Sequence, residues 1–486
     1  MPASNFDLAA SARQEMRSQG FDPDFPPTAN NELNAIAARP LPAVSATVRD
    51  LRSLPWSSID NDDSRDLDQI ECAERTDAGI RVMIGIADVD WAVTQGTALD
   101  LHAQSQTTTV YTGVEVFPML PERLSTDLTS LNDEQDRVAV VIEFTVAHDG
   151  SLSSQNIYRA LVRNKAQLTY EGVGPWLESA GPAPAKIADN PALIEQLHMQ
   201  DEASKALLDS RHRLGALDVD RVETESVTVD GHLEIRARRK NRAAELIEDF
   251  MVAANSVMAK KLADAGVSSI RRVVRAPERW ARIVELASRY GYTLPAQPDA
   301  GALNGFLQSR KTADPAHYAD VSLSVLKLMG PGEYVLSPAG AAPMGHFSLA
   351  AQDYTHSTAP NRRFGDVVTQ RILKAVQSKA AAPYTDDELA AIARNCTLKE
   401  DAARKVERNM QKRIAAVALS SHIGQQYKAV VTGVVPHKGV FVRLVDPPAE
   451  GRLMRGEQGI DVGDQITVRL LAADPGRGFI DFERVS

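Results

Sequence analysis

Residues 58–71 read S-I-D-N-D-D-S-R-D-L-D-Q-I-E, and crowd Asp60, Asp62, Asp63, Asp66 and Asp68 into nine positions. Carboxylates packed this closely repel one another, and a folded chain that keeps them together needs compensation. A divalent cation is the usual one. Magnesium is a hard ion that takes oxygen ligands, typically one or two carboxylates together with substrate phosphate oxygens. A solvated acidic loop is the alternative, and the stretch by itself does not separate the two.

On either side of it the chain reads as mixed and strand-rich from 46 to about 150. Ile80, Val82, Ile84 and Ile86 alternate with Arg81, Met83, Gly85 and Ala87, which predicts a strand with one buried face. Val138 to Val146 predicts a second, largely apolar strand. Between them, V-Y-T-G-V-E-V-F-P-M-L-P-E-R-L-S (110–125) suits an irregular loop over a site. Before the acidic stretch, Phe6–Arg17 and Asn31–Ala38 predict two short helices around a Gly/Pro-marked loop. They fit either a helix-turn-helix arm or a packing extension, and Pro40 and Pro42 mark a boundary.

The 486 residues are 43% hydrophobic, enough for a large core and two to four domains. Two cysteines, Cys72 and Cys396, support neither a zinc site nor a disulfide framework, and fit a reducing cytoplasm. The start, M-P-A-S-N-F-D-L-A-A, has no signal-peptide pattern, and no run is apolar enough to span a membrane. A net charge of −10 argues against a uniformly basic nucleic-acid binder. The bases are clustered, however: Arg236, Arg238, Arg239, Lys240 and Arg242; Arg362 and Arg363; Arg404, Lys405, Arg408, Lys412 and Arg413. A local basic channel is compatible with an acidic total.

Helical spacing dominates from 190 onward, over Pro191–Leu214, Arg242–Ala265, Pro277–Tyr290, Gly365–Lys379 and Thr397–Ser421. In the second of these, Glu248, Met251, Val252 and Asn255 share one face, which reads as a solvent-facing stripe. From Gly424 short strands separated by Gly and Pro turns predict a small barrel, five-stranded if it is an OB fold, with a boundary near His422.

A second cluster, Y-T-H-S-T-A-P-N-R-R-F-G-D (354–366), sets two arginines before a helix. Guanidinium forks match phosphate oxygens, and arginine together with a cation shares the charge that develops in phosphoryl chemistry. Surface arginines at a helix start are the plainer reading.

With both clusters in view, the chain resembles the RNase II family, whose catalytic domain is known as RNB. I-D-N-D-D-S-R-D-L-D-Q is similar to the family's I-D-x5-D-x-D-D-A. Four further stretches follow in the family's order: I-G-I-A-D-V-D-W-A-V (84–93), the 110–125 segment, L-I-E-D-F-M-V-A-A-N (246–255) and 354–366. Residues 424–486 resemble an S1-type OB fold. The resemblance implies an α+β protein with a short helical N-terminal region (1–45), a mixed RNB catalytic domain (46–421) and a C-terminal five-stranded barrel (422–486). It also implies a processive, Mg²⁺-dependent 3′→5′ exoribonuclease that releases nucleoside 5′-monophosphates, a monomer acting on single-stranded RNA with a free 3′ end.

By the same resemblance, Asp60, Asp66 and Asp68 fall on metal-binding and catalytic positions, and Gln69 stands where the family has a further Asp. An amide carbonyl still ligates Mg²⁺ but adds no negative charge, so the second cation should be held more weakly. Arg362 falls on the arginine that stabilises the scissile phosphate, with Arg363 beside it. Tyr111 falls on a base-stacking aromatic, and Tyr170 and Glu248 on contacts to ribose 2′-hydroxyls. The family's second stacking aromatic has no counterpart in D-V-D-R-V-E-T-E (218–225). Many members carry two cold-shock barrels before this domain, and too few residues precede Asp60 for them. A more open entrance to structured RNA is therefore expected. Two rivals stand beside this reading. One is an RNB-like RNA-binding protein with weakened catalysis, which Gln69 favours. The other is a small-molecule phosphohydrolase, which the barrel, with Lys438, Phe441 and Arg443, disfavours.

Overall fold

The computed structural model describes residues 6–219, 223–229, 232–238, 240–315, 317–435 and 439–485. Arg239, Lys438 and residues 220–222 lie outside these. Two helices come first, α1 (Leu8–Ser18) and α2 (Pro27–Ala37), followed by β1 (Val48–Asp50), β2 (Ser57–Asp60), β3 (Gln69–Thr76) and β4 (Gly79–Ala87). Short helices α3 (Val89–Ala92) and α4 (Ala98–Gln106) lead to the strands β5 (Val110–Tyr111) and β6 (Val116–Phe117). Strands β7 (Asp136–Val146), β8 (Leu152–Arg163) and β9 (Ala166–Thr169) complete a seven-stranded sheet in the order β1-β8-β7-β4-β3-β2-β9.

Helices α5 (Tyr170–Leu177) and α6 (Pro191–Arg213) follow, then the pair β10 (Glu223–Val229) and β11 (His232–Arg238), and helix α7 (Arg242–Asp264). Strand β12 (Ser269–Val273) pairs with β13 (Glu333–Ser337) across the helices α8 (Trp280–Arg289), α9 (Ala300–Ala313) and α10 (Tyr318–Leu328). Helices α11 (Phe364–Ser378) and α12 (Asp386–Leu419) lead to a closed barrel of β14 (Gln426–Val435), β15 (Gly439–Leu444), β16 (Glu450–Arg455), β17 (Gln465–Asp474) and β18 (Phe479–Arg484).

The alternation in β4 misleads about its faces. Met83, Gly85 and Ala87 are as buried as Ile80, Val82, Ile84 and Ile86, because β4 lies inside the sheet with β3 and β7 at its sides and α6 packed on it. Small and apolar residues on both faces are what a doubly covered strand needs. The 110–125 segment is more regular than expected, since β5 and β6 form a short hairpin. Helix α12 begins well before Thr397, at a capping box in which Thr385 and Glu388 satisfy each other's backbone N–H groups. In the barrel, β16 is the strand that the Gly/Pro punctuation does not show. It pairs antiparallel with β15 and parallel with β18, which closes the ring.

The stripe on α7 is not solvent-facing throughout. It runs from exposed Glu248 to fully enclosed Asn255, which binds the 354–366 segment. Asn255 Nδ2 donates to Tyr354 Oη (3.1 Å), and its Oδ1 accepts from the Ser357 backbone N–H (2.8 Å). The two N-terminal helices pack on different partners: α1 lies on α12 and α2 on α4.

Candidate active site

The acidic stretch is the connection from β2 to β3. Asp60 ends β2 and Asp68 directly precedes β3, so the strands fix both ends of the loop. Ser130 anchors its middle. Its Oγ accepts from Leu67 N–H (2.9 Å) and donates to Arg65 C=O (2.7 Å). Asp62 and Asp63 are exposed on the loop, whereas Asp60, Asp68 and Gln69 are buried. Asp60 Oδ1 accepts from Asn61 N–H (2.8 Å) and Ser64 Oγ (2.9 Å).

Folding brings the 354–366 segment onto this loop. Arg362 Nε donates to Asp68 Oδ2 at 2.7 Å, and Asn361 N–H donates to Asp68 Oδ1 at 2.9 Å, across more than 290 residues. Asp68 is 0% exposed and does not line the cavity, while Arg362, Asp60 and Asp66 do. The geometry thus makes Asp68 the carboxylate that aims Arg362. Burial pushes the Asp68 carboxyl up to about 6; Arg362 pulls against this and the Asp66 charge adds to it. Burial also raises Asp66, against the pull of Arg362 and with the help of Asp60.

Tyr111 stands over these groups on the β5–β6 hairpin. The residue is 43% exposed, its hydroxyl donates to Asp66 Oδ2 (3.3 Å) and its backbone N–H donates to Glu407 of α12 (3.2 Å). Backbone bonds stitch the hairpin's approach to the arginine segment, Thr109 N–H to Arg362 C=O (3.0 Å) and Phe364 N–H to Thr107 C=O (2.8 Å). These bonds hold the hairpin's approach beside the arginine segment.

These residues line a cavity of about 1660 Å³ whose walls run from the acidic loop to the barrel. Arg272, Lys327, Arg404, Arg408 and Arg443 line it as well. Arg404 and Arg408 belong to a basic run visible in the sequence. Arg272 and Lys327 carried no such signal, because they come from β12 and α10 and reach this cavity only in the fold.

Three predicted RNA contacts lie elsewhere. Arg363 pairs with Asp366 through Nε (2.9 Å) and Nη2 (2.7 Å), neutralising the first turn of α11, and is not part of the cavity wall. Glu248 is paired with Lys240 on the exposed face of α7, and Tyr170 opens α5, packed on the main core; neither lines the cavity. Gln69 is buried at the start of β3.

Among the described residues, no three His, Cys, Asp or Glu side chains are grouped so as to hold a metal ion. The donors at the loop are all oxygens: the Asp60 and Asp66 carboxylates and the Gln69 amide. Such a set fits Mg²⁺, which is bound by one or two carboxylates, water and substrate phosphate rather than by an all-protein cage.

A mixed α+β body with an acidic loop facing an arginine held by a buried carboxylate, followed by a five-stranded barrel, defines the fold and its candidate site. The chain belongs to the RNB family: the RNB domain model matches residues 48–379, and the model of the RNase II-type exonuclease C-terminal S1 domain matches 425–485. Ribonuclease R 1 of Lactococcus lactis is 29% identical over 478 residues, covering 89% of this chain and 56% of that protein. This chain thus spans little more than half the length of that relative. The structure of Mycoplasma genitalium RNase R in complex with ribose methylated single-stranded RNA superposes with a TM-score of 0.87 at 23% identity, covering 99% of this chain and 78% of that one. Yeast Ssd1, described as a pseudonuclease, superposes with a TM-score of 0.72 at 18% identity, covering 92% and 56%.

Proposed function

We propose that this protein is a processive, hydrolytic 3′→5′ exoribonuclease that degrades single-stranded RNA from a free 3′ end to nucleoside 5′-monophosphates. The observation that carries the proposal is Arg362, aimed by buried Asp68 into a cavity whose floor holds Asp60 and Asp66 and whose roof holds Tyr111. That cavity reaches the barrel and carries six further basic side chains, Arg65, Arg272, Lys327, Arg404, Arg408 and Arg443, along its wall, a path suited to a phosphate backbone.

In this reading Tyr111 stacks on a base near the 3′ end, which tolerates any base. Arg362 meets the scissile phosphate and neutralises charge as it develops there. Asp60 and Asp66, with Gln69, would hold Mg²⁺, which supplies an activated water and polarises the phosphate. Tyr170 and Glu248 lie off the cavity wall, so the ribose contacts that the family resemblance gives them have no part in this reading. The enzyme works as a monomer in a reducing cytoplasm, which suits its two free, buried cysteines.

The second reading is an RNA-binding protein with weakened catalysis. Gln69 favours it, and the likeness to a pseudonuclease shows that this fold by itself does not guarantee activity. Incubating the protein with 3′-extended RNA and Mg²⁺ separates the two. Release of 5′-mononucleotides that Asp60→Asn abolishes, with RNA binding kept, is the expected result. RNA binding without release would establish the second reading.

A further inference from the structure

Helix α10 carries more apolar surface than its core uses. Tyr318, Val321 and Val325 pack into the cluster formed with α8 and α9. Ala319, Leu323 and Leu326, spaced four and three apart, make a second stripe on another face, half-buried and lining the cavity. An amphipathic helix normally turns polar residues away from its core. Here the charged residues of α10 are taken by the barrel instead. Asp320 pairs with Arg443 (2.8 Å), and Lys327 pairs with Glu450 (3.5 Å) and donates to Thr432 C=O (3.4 Å).

The stripe adjoins a wall of different chemistry. It continues through Met329 to the turn before β13, where a Cβ on Gly332 would stand 2.5 Å from Arg272 Nη2. Arg272 in turn is held by Glu400 of α12 through two bonds (2.5 and 2.8 Å). From there Arg404, Arg408 and Gln411, at i, i+4 and i+7, turn one face of α12 into the same cavity. One helix thus offers the cavity aliphatic carbon, the other guanidinium groups and an amide. A single nucleic-acid strand has the same division, with flat apolar base faces on one side and phosphates on the other.

We propose that the α10 stripe is a base-contact surface for single-stranded RNA. Leu323 and Leu326 lie against base faces while Arg404 and Arg408 take the phosphates, so the two helices fix which edge of the strand meets which wall. The proposal rests on RNA occupying the cavity, as in the exoribonuclease reading. The contact tolerates any sequence, because every base presents an apolar face. It is separate from Tyr111, whose hydroxyl stands at the acidic loop. The basic side chains beside the stripe match an anionic polymer rather than an apolar peptide.

The test measures binding of the full chain, in EDTA, to two oligoribonucleotides: an intact strand, and one made abasic at every position but the last two. Leu323→Ser combined with Leu326→Ser should weaken binding of the intact strand by at least about five-fold, the scale of losing partly buried leucine contacts. The abasic strand should lose less than about two-fold, and the salt slope should not move, since no phosphate contact is touched. Equal weakening of both strands overturns the proposal, as does a parent that binds both strands alike or neither. A second measurement needs no variant and decides the matter if the double variant fails to fold. Ultraviolet cross-linking of a 4-thiouridine strand to the parent should map to the peptide holding α10, and cross-links confined to other segments overturn the proposal. The exoribonuclease reading fails separately: a parent that binds the intact strand and cross-links through α10 but releases no nucleotide leaves this surface standing and removes the catalysis.

Discussion

Arg362 reaches the cavity because Asp68 holds its Nε, and this single contact orders the expected effects of mutation. Arg362→Ala should lower kcat by about 10²–10³-fold, as the loss of one preorganised charge-stabilising donor does elsewhere. RNA binding measured in EDTA should change far less, and an equal loss in both would assign Arg362 to binding alone. Asp68 also predicts a pH profile. Its carboxyl is raised from 3.8 to about 6, so the protonated form prevails below that value and releases its hold on Arg362. Nucleotide release should fall as pH drops through about 6, and the limb should shift to lower pH as Mg²⁺ is raised. A rate that stays flat from about pH 5 to 7 would contradict this role. The same carboxyl takes up a proton on folding, so its contribution to stability is greatest below its unfolded value and declines as pH rises through about 6. Tyr111 gives a sharper test of stacking. Tyr111→Ala should weaken binding of a 3′ end by about 1–3 kcal/mol, and Tyr111→Phe by little, because the ring carries the contact.

At the scale of elements, the hairpin that presents Tyr111 is braced from outside by α1. Arg13 Nη2 donates to Glu115 Oε1 at 2.6 Å, and its guanidinium lies 5.7 Å from the centre of the Phe117 ring. Ala12, Met16 and Phe21 share an apolar cluster with Val110 and Phe117 of the hairpin and Ala403, Val406 and Met410 of α12. Helix α1 is therefore a clamp between the hairpin and α12. Arg13→Ala should raise KM for RNA and leave kcat close to the parent's, since it loosens Tyr111 without touching Arg362. A fall in kcat with KM unchanged would refute the clamp. These helices were legible as helices from their periodicity, but two short helices around a turn suit many roles. Which surface they cover depends on residues some 390 positions away, such as Asn409, whose Nδ2 donates to Glu15. The start of α12 is a different case. T-D-D-E at 385–388 is a capping-box signal in the sequence itself, and only the following weakly patterned turn obscures it.

At the scale of the whole molecule, the barrel is tied to the body beside the cavity. Arg443 of β15 pairs with Asp320 of α10 at 2.8 Å, and Lys327 with Glu450 at 3.5 Å. The basic wall formed this way should show in the salt dependence of RNA binding. Arg408 forms no ion pair among the described residues, and Arg408→Glu should weaken binding and reduce the salt slope by about 1. An unchanged slope would remove this wall from the RNA path. A hairpin with a 3′ overhang tests the entrance. Degradation through the duplex would show that the entrance admits structured RNA, and a stall well before it would show that the entrance excludes it.

The sequence by itself determined the family, the barrel, the acidic loop and the arginine pair, because these are local patterns of charge, glycine and alternation that survive without coordinates. It also exposed Gln69, since one missing charge stands out against a motif. The tertiary structure alone decided how the two arginines are held: Arg362 meets Asp68 and lines the cavity, while Arg363 is taken by Asp366. It also turned Asn255 from a surface residue into the link between α7 and the arginine segment. The physical reason is the same in each case. Burial and pairing depend on neighbours brought together from distant parts of the chain, and a side chain's chemistry is set by those neighbours more than by its own identity. The acidic loop therefore declared its composition in the sequence, while its division into a carboxylate that aims an arginine and carboxylates that face the cavity arose only on folding.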